Sequence, residues 1–127
     1  MKLRMKENSL RLRLSPSEMA RLLQDGHIEE TVRFAPGPGA ALTYALEQSP
    51  HCTAMTVRYE AHSITVVLPA ESTETWAEGQ DVGLYGNIDL GRPESLDVAV
   101  EKDFACLDKG EAENADTFPN PRQGAVC

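Results

Sequence analysis

Lys2-Leu3-Arg4-Met5-Lys6-Glu7-Asn8-Ser9-Leu10-Arg11-Leu12-Arg13-Leu14-Ser15-Pro16-Ser17-Glu18 is the stretch that decides the fold. Leu3 and Met5 alternate with Lys2, Arg4 and Lys6, and after a Glu7-Asn8 turn Leu10, Leu12 and Leu14 alternate with Arg11 and Arg13. Two runs of period two about a short polar turn predict a β-hairpin with one apolar face. The next four residues start a helix. Ser15 supplies a capping oxygen, Pro16 fits the first helical position, and Glu18 completes a capping box. Met19, Leu22 and Leu23 then form an apolar stripe, and Gly26 is a left-handed stop. A helix is expected over 16–25.

Beyond Gly26 the pattern is β. Ile28–Phe34 and Ala41–Glu47 alternate around Ala35-Pro36-Gly37-Pro38-Gly39, a loop too rich in Pro and Gly for regular structure. Met55, Val57 and Tyr59 share one face, as do Ile64, Val66 and Leu68, and Glu60-Ala61-His62-Ser63 joins the two runs in a second hairpin. Residues 70–78 predict a short helix anchored by Trp76 and stopped by Gly79. Val82–Leu90 and Leu96–Val100 form a third hairpin across Gly91–Ser95.

The expectation is α+β: mostly antiparallel β, about eight short strands curled into a barrel or half-barrel, with two short helices. A two-layer α+β sandwich is the alternative. No repeat of 20–50 residues is visible. One domain is expected over 1–121, followed by a loose tail at 122–127.

Composition narrows the function classes. The chain has 127 residues, a formal charge of -8 and 41% hydrophobic residues, which suits one folded domain and excludes wholesale disorder. No apolar run approaches a membrane span and no signal-peptide core follows Met1, so a soluble, cytoplasmic protein is expected. Residues 1–33 carry seven basic against five acidic residues, and 60–127 carry fourteen acidic against four basic. This asymmetry suits docking within one chain or between two copies, and it argues against nucleic acid as a partner. Cys52, Cys106 and Cys127 are odd in number and widely spaced, which reads as reduced thiols.

Motifs for phosphate, dinucleotide, zinc-protease or serine-hydrolase chemistry are absent. His27, His51 and His62 fall at turns or loops, one per connection. The densest run of reactive types is Glu101-Lys102-Asp103-Phe104-Ala105-Cys106-Leu107-Asp108, at a strand end leading into a loop. Asp103, Cys106 and Asp108, with Glu113 or Asp116, form a candidate metal set. Lys102 beside Cys106 is a candidate for an activated thiol. The plainer reading packs Phe104, Cys106 and Leu107 inward with the acids in water. Arg11, Arg13 and Arg33 are candidates for a pocket holding an anionic small molecule, set against the plainer reading of a solvated face. No cofactor is indicated.

KLRMKENSLRLRLSPSE at 2–18, GHIEETVRF at 26–34, LTYALE at 42–47 and VEKDFACLDKGEAENADTFPNP at 100–121 together resemble a family of small bacterial proteins of unknown function. The resemblance spans essentially the whole chain. It implies a single soluble bacterial domain and carries no activity, cofactor or site residue. The functional expectation is therefore a non-enzymatic module that binds a small molecule or a protein. The alternatives are a metal-binding protein or enzyme, or a pocket for an anion.

Overall fold

Lys2–Lys6 (β1) and Ser9–Leu14 (β2) pair antiparallel, with Leu10, Leu12 and Leu14 buried and Arg11 and Arg13 half-buried on the other face. Glu7 takes a positive φ of 52°, as the tight hairpin turn requires. Pro16–Asp25 (α1) follows at once. Ser15 Oγ accepts from the Glu18 N–H at 3.3 Å, and the Glu18 carboxylate accepts from the Ser15 N–H at 2.9 Å. Gly26, at φ 76°, donates its N–H to the Leu22 carbonyl at 2.8 Å and stops the helix. Ser15→Ala removes the capping oxygen, and equilibrium urea unfolding should show a loss of about 1 kcal/mol. Coincident midpoints for variant and wild type would disprove this role.

The structure, a computed structural model, describes residues 1–91, 93–104 and 116–119. The expected tail at 122–127 lies outside the described residues. After α1 come His27–Arg33 (β3), Ala41–Ser49 (β4), Thr56–Glu60 (β5), Ser63–Pro69 (β6), Ala70–Glu78 (α2), Gly83–Asp89 (β7) and Ser95–Lys102 (β8).

The strands form two four-stranded sheets, ordered β1-β2-β8-β7 and β3-β4-β6-β5. Neither closes, so the expected barrel or half-barrel is replaced by two open layers. The reason lies in the helices. α1 carries the chain from the first sheet to the second and α2 carries it back, so the four hairpins are dealt two to each sheet. Within each sheet the hairpins meet through a parallel pair, β2 with β8 and β4 with β6, which leaves β1, β7, β3 and β5 as edges. One core lies between the layers. Leu12, Leu14 and Val100 of the first sheet join Leu46, Val66 and Leu68 of the second, with Leu22 and Trp76 entering from the helices.

The topology is an internal duplication. Lys2 pairs with Arg13 as Thr56 pairs with Val67, and Ser9 pairs with Asp97 as Ser63 pairs with Thr43, each position shifted by 54. Each unit is a ββαββ run, and its two hairpins go to different sheets. Details obey the same shift. The Asn8 carbonyl accepts from the Asp97 N–H and the His62 carbonyl from the Thr43 N–H. Gln48 and Lys102 also match, although their acceptors do not keep the shift: Gln48 Nε2 reaches the Leu22 carbonyl in the last turn of α1, and Lys102 Nζ reaches the Gly79 carbonyl just past α2. Two extra residues follow α2, so β7 matches β3 at a shift of 56. Leu10 matches Ile64, Leu12 matches Val66 and Leu22 matches Trp76. Apolar character repeats at these positions, and some residues are identical at the same shift, among them Ser9 and Ser63, Leu14 and Leu68, and Glu47 and Glu101.

Candidate functional site

Two stacked sheets with open edges leave two seams, one beside β1 and β3 and one between β5 and β7, and the duplication makes them counterparts. Their contents differ. Met1, just ahead of β1, places its ammonium against the carboxylates of Glu18 and, at 2.8 Å, Glu30. Tyr44 donates its hydroxyl to Glu30 at 2.8 Å and to the Met1 carbonyl at 3.0 Å. Burial alone would lower the ammonium's pKa, but the hydrogen bonds to Glu18 and Glu30 outweigh it and hold the pKa above 8.0. Burial would likewise raise Glu30, and the bonds from the ammonium and Tyr44 hold it below its ordinary 4.5. Burial, then the Glu30 contact, pushes Tyr44 up to about 12. This first seam is closed by charge.

In the second seam the matching positions are small. Met55 stands where Met1 does, Ser72 replaces Glu18, Gly86 replaces Glu30, and Val98 replaces Tyr44. The space the larger side chains fill in the first seam is left open, as a cleft of about 380 Å³. Met55, Leu68, Leu84 and Ile88 line it, and Ser72 and Pro69 sit where α2 begins. A Cβ on Gly86 would come within 2.9 Å of Met55 Sδ, so this glycine lets the methionine lie against the strand. The edge of β7 forms one wall. The Lys102 N–H bonds to the Val82 carbonyl and the Leu90 N–H to the Glu94 carbonyl, which sets the alternation of the ladder. Tyr85 and Asn87 therefore aim their main-chain N–H and C=O away from β8, at the open edge. Volume, apolar floor and a few polar groups suit a small ligand.

The residues singled out from the sequence lie elsewhere. Arg11 and Arg13 both turn to one Glu101 oxygen, at 3.3 and 3.7 Å, and Tyr85 donates to the other at 2.7 Å. Arg33 is on the other sheet and donates to the Gly37 carbonyl at 3.1 Å, so the three arginines do not converge. Lys102 is buried, and besides reaching Gly79 its Nζ stands 5.5 Å from the Phe118 ring centroid. Asp103 pairs with Lys2 at 2.8 Å. Asp116 accepts from the Ser17 hydroxyl and from the Ser17 N–H at the start of α1, and the hydroxyl bond holds its carboxyl below the usual range. Asp103 and Asp116 thus serve different partners, and no group of three metal-ligating side chains forms among the described residues. Cys106, Asp108 and Glu113 lie outside the described residues. His27 bonds Glu29 at 2.8 Å and stands 3.5 Å from Glu47, and no group of three metal-ligating side chains that includes it forms among the described residues.

The cleft was not legible in the sequence, because its signal is a set of small residues at positions whose counterparts are large. Only the duplication pairs those positions. Among the described residues no helix is long and apolar enough to cross a membrane. No curated protein and no solved structure matches the chain. A family model described as a family of unknown function (DUF7009) matches residues 1–122, and the chain belongs to that family.

Proposed function

We propose that the protein is a non-enzymatic binding module that takes a small molecule into the seam between β5 and β7. One observation carries the reading: the cleft of about 380 Å³ at Ser72 and Gly86 opposes a counterpart seam closed by Glu18, Glu30 and Tyr44. Arg11 and Arg13 share one oxygen of Glu101, and Arg33 lies on the other sheet, so the three do not gather around one anion.

The test is a screen of neutral fragments by amide chemical shifts on the ¹⁵N-labelled protein. Shifts should cluster at Ser72, Leu84, Gly86 and Asn87. Clustering instead in the apolar groove of Met5, Val57, Tyr59 and Ile64 at the far end of the sandwich would refute the assignment.

A further inference from the structure

We infer that the ligand of the β5–β7 cleft is uncharged, with an apolar body and an amide-like group that both donates and accepts a hydrogen bond. The inference rests on the reading of this cleft as the binding site, and it comes from what the walls offer. In a chain of net charge -8, none of the described residues lining the cleft carries a charge. The floor is Met55, Leu68, Leu84 and Ile88. The polar groups at hand include the Ser72 hydroxyl, which has no partner among the described residues, the Thr53 hydroxyl, and the edge-facing main chain of Tyr85 and Asn87. A strand edge presents N–H and C=O side by side, so it pairs with a group carrying both.

Charge is excluded by the same walls. A charged group settling on the floor of Met55, Leu68, Leu84 and Ile88 gives up part of its hydration and finds no counter-charge among the described lining residues. The counterpart seam shows what an ammonium requires in this architecture: it has Glu18 and Glu30. Ser72 and Gly86 supply neither carboxylate, and no described lining side chain carries a charge to balance an anion. The duplication thus separates two seams of one shape into a charged one that is filled and a neutral one that is open.

Benzamide, benzamidine and benzoate share a skeleton and differ in charge, so they isolate this property. Titrated into the labelled full-length protein, benzamide should bind at Ser72, Gly86 and Asn87 at least tenfold more tightly than either charged analogue. A charged analogue binding there equally well would overturn the inference while leaving the cleft as the site. No shift there from any of the three would overturn the reading of the cleft itself. Ser72→Glu is the converse test. The residue holds the third position of α2, as Glu18 does in α1, where a glutamate suits a helix start. Its amide spectrum establishes that the variant is folded. Preference should then shift at least tenfold toward benzamidine, and an unchanged preference would show that the ligand does not lie beside Ser72.

Discussion

Trp76→Ala should lower the unfolding free energy by about 3–5 kcal/mol, the largest effect expected of any single truncation in this chain. Trp76 is 0% exposed and is the only tryptophan. α2 buries only Thr73 and Trp76, so this one side chain supplies most of the helix's hold on the core. Its indole N–H also donates to the Val82 carbonyl at 3.1 Å, which fixes the turn from α2 into β7. Truncation leaves a cavity between the sheets and loosens the element that carries the chain back to the first sheet. Urea unfolding followed by circular dichroism is the measurement, since the fluorophore is lost. A change below about 1 kcal/mol would show that α2 does not close the core.

Glu18→Gln should have the next largest effect, about 2–3 kcal/mol near neutral pH, because it removes a charge partner and sets an amide donor against either the Met1 ammonium or the Ser15 N–H. The figure is kept below that of a fully buried pair because Met1 and Glu30 are half-buried. The pH dependence identifies the cause. The ammonium's pKa is raised, so its contribution is complete below 8.0 and is lost as pH rises through the folded value. Glu30 has a lowered pKa, so its contribution is complete above 4.5 and is lost as pH falls through the folded value. Wild-type stability from this cluster should therefore form a plateau between the two limits and decline on both sides. In the variant the alkaline decline should shrink. Superimposable stability curves for the two proteins across pH 4 to 10 would rule out the cluster as a stabilising element.

The sequence by itself determined the local elements and their inward faces. Alternation placed Leu10, Leu12 and Leu14 inward, a capping box started α1 at Ser15, and Gly26 ended it, because these signals act within a few residues. The tight turns likewise gave the hairpins β1–β2, β5–β6 and β7–β8. Charge asymmetry was legible too, and the contacts of Arg11 and Arg13 with Glu101 and of Lys2 with Asp103 join the two ends of the chain as it suggested. Tertiary structure alone decided which hairpins share a sheet. That choice depends on β2 meeting β8 and β4 meeting β6 in parallel, pairings with no turn between them to announce their register. The duplication stayed hidden for a related reason: a core position constrains polarity more than identity, so Leu22 and Trp76 can hold matching places without matching letters. The cleft follows from both. Ser72 and Gly86 carry no signal as single residues, and a cleft opens at them because the fold places them at the counterparts of positions that Glu18 and Glu30 fill.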